Sequence, residues 1–106
     1  MVQQIGDYSE FQKAVLGAGA GVLAVVDFWA SWCGPCVRIA PAYAQLPAQF
    51  PGVLFFKVDV DENAETSEAE GIKCMPTFLF YKDGTQVDKL EGASEEGLRD
   101  KINKHQ

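Results

Sequence analysis

The sequence predicts an α/β domain in which a mixed β-sheet lies between helices. Three observations lead to this prediction. The stretch 22–30 is apolar almost throughout, which is typical of a central strand covered on both faces. Segments with helical spacing alternate along the chain with strand-like segments. The pair Asp83-Gly84 is a tight turn between two strand-like segments. The resulting order β-α-β-α-β-α-β-β-α implies right-handed crossovers between parallel strands and an antiparallel hairpin at the end.

The first half of the chain supplies two strands and two helices. Residues 2–5 are expected to form a short strand, followed by a helix that Asp7 or Ser9 caps. That helix ends at a group of glycines, and the strand 22–30 comes next. A second helix is expected over 37–50, with Pro35 in its first turn, where the missing N–H costs little.

Two prolines interrupt the pattern of this second helix. Pro41 should kink it, because proline removes a backbone hydrogen bond and clashes with the preceding turn. Pro47 is a second breaker, and we expect it to bend the helix again or to end it early.

In the second half, residues 53–60 form a predicted strand with alternating faces. The acidic stretch 61–70 precedes Gly71, which stands where a helix would stop. Strands at 77–81 and 86–90 form the hairpin, and Ser94 begins the last helix.

Composition limits the classes of function. With 106 residues the chain is expected to be one domain, residues 1–106, large enough for its own core. A net charge of −6 argues against a nucleic-acid partner and against anionic membrane surfaces. The first residues lack the basic and apolar segments of a secretory signal, and 22–30 is too short to span a bilayer. A cytoplasmic location is therefore expected.

The residues that most clearly indicate chemistry are Cys33 and Cys36, which lie between the central strand and the second helix. Free backbone N–H groups and the helix dipole favour a thiolate at such a turn. Two thiols one turn apart can exchange with a disulfide. One alternative is half of a zinc site, for which only Cys74 and His105 remain as further ligands. The other alternative is a pair of inert buried thiols, which the intervening Gly-Pro argues against.

A carboxylate inside an apolar strand is the second notable feature. Asp27 must be paired, hydrogen-bonded or protonated there. It is either in a structural ion pair with Lys57 on the neighbouring strand or a general base that deprotonates Cys36, through water. The two roles are compatible, and we favour the catalytic one.

Two residues before the hairpin, Pro76 and Cys74, are less informative from the sequence alone. Composition alone makes Pro76, after Met75, an ordinary residue at the start of a strand. Cys74 is either a small apolar filler or an exposed, oxidisable thiol.

Taken together, these residues identify a family. The segment 26–36, Val-Asp-Phe-Trp-Ala-Ser-Trp-Cys-Gly-Pro-Cys, closely resembles the active-site signature of the thioredoxin family. The resemblance extends over essentially the whole chain, through Pro41, 57–61, 75–78, 83–84 and 92–93. Cys74 departs from the bacterial pattern and occurs in some eukaryotic-like members, so the chain resembles a cytosolic, eukaryotic-like member of the family. The resemblance implies the thioredoxin fold, with four helices around a mixed five-stranded sheet.

The resemblance also implies roles for individual residues. Cys33 would be the attacking nucleophile and Cys36 the resolving thiol, with Asp27 as the buried acid–base group and Lys57 tuning it. Pro76 would be a cis-proline that faces the cysteines. Met75 would pair its backbone with an extended target segment. The apolar rim that receives target proteins would consist of Trp32, Gly34, Pro35, Val60, Met75, Gly92 and Ala93.

The function that follows is a general protein-disulfide reductase. By resemblance, its dithiol would be regenerated by a flavin-dependent thioredoxin reductase that uses NADPH; the chain itself shows no nucleotide-binding loop and is expected to bind no cofactor and no metal. A disulfide oxidant or isomerase domain is one alternative, and a redox-dependent binding module is another. A monomer is expected, with a dimer linked through Cys74 on oxidation.

Overall fold

The computed structural model describes residues 1–106. A five-stranded mixed sheet with strand order β1-β3-β2-β4-β5 forms its centre. The strands are β1 (Val2–Gln4), β2 (Ala24–Trp29), β3 (Leu54–Asp59), β4 (Thr77–Lys82) and β5 (Thr85–Glu91). The helices are α1 (Tyr8–Phe11), which continues as a π-helical segment (Gln12–Leu16), α2 (Gly34–Gln49), α3 (Ala64–Ala69) and α4 (Glu95–His105). The predicted α/β class is confirmed, with five strands and four helices.

Strand β2 occupies the middle of the sheet, as its apolar sequence predicts. It pairs in parallel with β3 and antiparallel with β4, and the first five of its six residues are buried. Parallel strands buried on both faces carry continuous apolar runs, which explains why Asp27 stands out in this one. The register places Asp27 directly beside Lys57 of β3 and beside Phe78 of β4.

Alternation along β2 divides the core into two layers. Val25 points to the side of α2 and α4, where it packs with Tyr43 and Leu98. Val26 points to the opposite side, where it packs with Phe11 of α1. Because side chains two residues apart share a face of a strand, Asp27 and Trp29 lie on the α2 side together with Val25.

Helix α2 does not end early at Pro47, and that alternative of the sequence prediction is wrong. The helix runs from Gly34 to Gln49 through both Pro41 and Pro47. A proline in the last turn removes only one hydrogen bond, whereas the same turn buries Leu46 completely against the core. Tertiary packing therefore outweighs the local preference, and the Phe50 N–H closes the helix on the Leu46 carbonyl at 2.9 Å.

The remaining turns follow their sequence signals. Asp83 and Gly84 both adopt positive φ, 55° and 75°, as a two-residue hairpin turn requires. Gly71 ends α3 with a φ of 70°. The Ser94 side chain accepts the Gly97 N–H at 3.0 Å and caps α4. None of these helices is long and apolar enough to cross a membrane.

Candidate active site

Cys33 and Cys36 lie where β2 passes into α2. Cys33 is the N-cap residue of α2, and its Sγ accepts the Cys36 backbone N–H at 3.2 Å. The two cysteines are joined in a disulfide with their Cα atoms 5.3 Å apart, and they are 6% and 2% exposed. When the pair is reduced, the same N–H and the helix N-terminus favour a thiolate on Cys33. The geometry thus suits reversible closing and opening of this disulfide.

The segment before β4 forms the wall opposite the cysteines. The Met75–Pro76 peptide bond is cis, as the resemblance predicts. The Met75 carbonyl oxygen lies 3.6 Å from Cys33 Sγ, and Met75 packs with Val60 against the two cysteines. The Gly92 N–H donates to the Pro76 carbonyl at 2.9 Å. The fold therefore brings the Met75–Pro76 segment and Val60 beside the two cysteines, although they are distant in sequence.

The surface around the disulfide is largely apolar. Trp32 is 67% exposed, and its indole Nε1–H donates to Asp61 Oδ2 at 2.9 Å, which fixes the ring beside the cysteines. Gly34 and Pro35 are exposed in the first turn of α2. Ala93 is exposed too, and it lines a groove of about 320 Å³ that extends along α2 past Arg38.

Asp27 of β2 is buried, with 2% of its surface exposed. Its Oδ1 has no hydrogen-bond partner. Desolvation by burial raises the pKa of Asp27 to about 7, and the attraction of the Lys57 charge opposes part of this rise. A cavity of about 300 Å³ reaches the carboxylate from the side of β1 and is also lined by Lys57 and Tyr43. A carboxyl group with a pKa near 7 can accept and release a proton at neutral pH.

The predicted ion pair between Asp27 and Lys57 does not form. The register puts the two residues side by side, but the Lys57 ammonium instead lies over the Trp29 ring, 4.5 Å from its centroid. The lysine–carboxylate ion pairs lie instead on β5, where Glu91 pairs with Lys89 and Asp88 pairs with Lys101. The indole face attracts the ammonium without requiring an ionised carboxylate in the protein interior. Lys57 therefore affects the pKa of Asp27 through its charge, from a distance, and not through an ion pair.

Cys74 lies at the edge of this region with an exposed side chain. Its Sγ is 3.7 Å from the Thr77 hydroxyl, and the Thr77 hydroxyl donates to the Cys74 carbonyl at 2.7 Å. The interpretation of Cys74 as a buried apolar filler is therefore wrong. No group of three or more histidine, cysteine or acidic side chains is arranged to hold a metal ion.

Two residues that contribute to this site were not singled out from the sequence. Asp61 holds Trp32 from a loop 29 residues away, and no local pattern indicates that contact. Trp29 holds Lys57, and strand alternation could have indicated it, because it lies two residues beyond Asp27 on the same face.

Comparisons with known proteins agree with this geometry. The family model described as Thioredoxin matches residues 3–104. The thioredoxin of Geodia cydonium is 54% identical over 106 residues, covering 99% of each chain. That of Ictalurus punctatus is 47% identical over 107 residues, also covering 99% of each. The X-ray structure of Fasciola hepatica thioredoxin superposes with a TM-score of 0.94 at 42% identity, covering 98% of this chain and 99% of that one.

Sequence, fold and cysteine geometry lead to one conclusion. The relatives cover the chain almost from end to end, and Cys33 and Cys36 lie at disulfide distance at the start of α2. The chain belongs to the thioredoxin family and is a thiol–disulfide oxidoreductase that acts by dithiol–disulfide exchange.

Proposed function

We propose that Cys33 is the attacking nucleophile and Cys36 the resolving thiol of a general protein-disulfide reductase. The Cys33 thiolate attacks one sulfur of a target disulfide, and the other target sulfur leaves as a thiolate and takes up a proton. Cys36 then loses its proton and attacks Cys33 Sγ. The second target sulfur leaves, the Cys33–Cys36 disulfide forms, and two electrons have passed to the target.

The observation that carries this assignment is the asymmetry of the two sulfurs. Cys33 is the N-cap residue, lies closer to the surface and accepts an N–H at its Sγ, whereas Cys36 is buried one turn further on. A target disulfide therefore meets Cys33 first, and Cys36 is left to resolve the product.

Asp27 is the proposed acceptor of the Cys36 proton. It is a buried carboxyl group that shares a cavity with Tyr43 of α2, and its raised pKa suits proton transfer near neutral pH. The cavity beside it provides room for water, through which the proton would pass. Lys57 tunes this group from its position over Trp29.

The proposed docking surface is the apolar rim around the disulfide. An extended target segment would pair with the backbone of Met75 beside Pro76, in the manner of an added strand. The residues that contact the target would then be those on either side of this segment, namely Trp32, Gly34, Pro35, Val60, Gly92 and Ala93, all of which are exposed or half-buried.

The proposed electron donor is a flavin-dependent thioredoxin reductase that uses NADPH, with the flavin and the nucleotide bound by that partner. A reductase of this kind belongs in a reducing compartment, so we propose a cytoplasmic location. We also propose that residues 1–106 form a single domain.

The test of the reductase function is a coupled assay with NADPH, a thioredoxin reductase and a protein disulfide. NADPH oxidation should depend on the chain and on the target, and the Cys74→Ser control should match wild type. No turnover would contradict the proposal.

Replacing Asp27 by alanine should slow the release of the mixed disulfide near neutral pH. Without the carboxyl group, Cys36 loses its proposed proton acceptor, and we expect a rate lower by about a hundred-fold or more. Stopped-flow measurement of target release checks this, with Asp100→Ala, an exposed change on α4, as the control. If Asp27→Ala resolves the intermediate at the wild-type rate, the catalytic role of Asp27 is wrong.

Oxidation should link two copies of this otherwise monomeric chain through Cys74. Its thiol is exposed beside the docking surface, so two molecules can approach each other there. Non-reducing gels of the oxidised protein should show a dimer band for wild type and for Cys33→Ser. The band should be absent for Cys74→Ser, and an unchanged band in that variant would contradict the prediction.

A further inference from the structure

The ammonium of Lys57 lies within reach of two partners on the same face of β2. The parallel register sets Lys57 beside Asp27, and Trp29 lies two residues further along β2. The ammonium occupies the indole, with Nζ 4.5 Å from the centroid of the Trp29 ring. Asp27 has no ion pair, and its Oδ1 has no hydrogen bond. The lysine therefore prefers the aromatic face to the buried carboxyl group.

We propose that Trp29 is a positioning residue: its indole face holds the Lys57 ammonium and keeps it from closing an ion pair with the Asp27 carboxylate. The aromatic quadrupole attracts a cation at this distance. Trp29 is itself held in place, because it packs against Cys33 and Cys36. The consequence for the reaction rests on the proposed role of Asp27, whereas the placement of Lys57 does not.

The other titratable groups around Asp27 cannot take the place of Lys57 as a nearby charge. On β3, the Asp59 carboxylate is engaged by the backbone N–H of Asp61 at 2.9 Å. From α2, the Tyr43 hydroxyl donates to the Phe56 carbonyl at 2.8 Å, and burial holds the pKa of Tyr43 well above its ordinary value. From β4 and β1, the neighbours are uncharged, namely Phe78 and, across the cavity, Gln4. Lys57 is thus the charged group whose movement would change the pKa of Asp27 most.

Burial raises the pKa of Asp27, and the distance of the Lys57 charge decides how far that rise is opposed. An ammonium in contact with a buried carboxylate would strongly favour its ionised form, whereas one held over Trp29 attracts it less. Asp27 accordingly keeps a pKa near 7, at which it can both take and return a proton. Trp29 would then set the pH range in which the resolving step is fast.

The test is the pKa of the Asp27 carboxyl group, measured by carbon NMR on the oxidised protein. The set comprises wild type, Trp29→Leu and Trp29→Phe, each with Lys57 present and in a Lys57→Met background. With Lys57 present, Trp29→Leu should lower this pKa by about one unit or more, because the freed ammonium reaches the carboxylate. Trp29→Phe keeps an aromatic face and should lower it by less, which also serves if Trp29→Leu does not fold. In the Lys57→Met background, both changes should leave the pKa of Asp27 nearly constant.

Two results would overturn the placement. An unchanged pKa of Asp27 in Trp29→Leu with Lys57 present would show that the indole does not hold the ammonium away. An equal fall with and without Lys57 would assign the effect to hydration of the site rather than to the lysine.

The pH dependence of mixed-disulfide release separates this inference from the proposed function. In Trp29→Leu the rise of the rate with pH should move to lower pH together with the pKa of Asp27. If the pKa moves only when Lys57 is present while the rate profile stays in place, the positioning of Lys57 stands and the role of Trp29 in the reaction fails. A shift of the rate profile that persists in the Lys57→Met background would contradict the inference.

Discussion

Cys33→Ser is expected to abolish disulfide reduction, with a fall in rate of about a thousand-fold or more. A serine hydroxyl at a helix N-terminus remains protonated at neutral pH, so it cannot replace a thiolate as the nucleophile. The coupled assay with NADPH, a thioredoxin reductase and a protein disulfide measures the loss directly. Full activity in Cys33→Ser would contradict the reductase mechanism and would favour a binding module without turnover.

The matched variant is Cys36→Ser, which should behave differently. It keeps the nucleophile and loses the resolving thiol, so the first step proceeds and the mixed disulfide through Cys33 accumulates. With both variants made in a Cys74→Ser background, which removes the exposed third thiol, intact mass spectrometry should find about one target per chain in Cys36→Ser and none in Cys33→Ser. Equal amounts of adduct on the two variants would mean that the two sulfurs are interchangeable, contrary to their different burial.

Asp27 should make the protein less stable as the pH rises. Its pKa is raised to about 7 in the folded protein, against an ordinary value of 3.8, so the folded state keeps a proton that the unfolded state has lost. Stability is then greatest below the ordinary pKa and falls until the pH passes the folded value. The free energy of unfolding should drop by about 3 kcal/mol from this group between pH 5 and pH 8.5.

Urea unfolding of the oxidised wild type and of Asp27→Asn at these two pH values measures the effect. The variant cannot ionise at this position, so its free energy of unfolding should change less with pH, and the other titrating groups cancel in the comparison. Asp100→Asn, an exposed change on α4, is the control and should follow wild type. Parallel curves for wild type and Asp27→Asn would mean that Asp27 has no raised pKa.

Much of the fold follows from periodicity and turn residues. The central place of β2 could be predicted because an apolar run of that length is stable only when both faces are covered. The early end of α2 expected from Pro47 was wrong, because the burial of Leu46 outweighs the loss of one hydrogen bond. Local sequence indicates the preference of a turn, whereas tertiary packing decides whether that preference is followed.

The residues of the site could be predicted where the sequence pattern is local. Their contacts could not be predicted where a side chain has two possible partners in the folded protein. Spacing alone marks Cys33 and Cys36, and burial in a strand marks Asp27. The prediction that Lys57 forms an ion pair with Asp27 was wrong. Asp27 and Trp29 are both within reach of Lys57, and which of them it contacts depends on how each is solvated in the folded protein. The cis bond before Pro76 came from the family resemblance, since composition favours the trans form.

The two-layer core separates the working half of the molecule from its support. Asp27 and Trp29 project toward α2, whereas α1 and its π-helical continuation pack on the opposite face of β2. A fluorophore or an immobilising tether attached at Lys13, an exposed position behind the sheet, should therefore leave the exchange chemistry untouched. The same layer offers a place to graft loops or fusion partners onto this oxidoreductase while its docking face stays open.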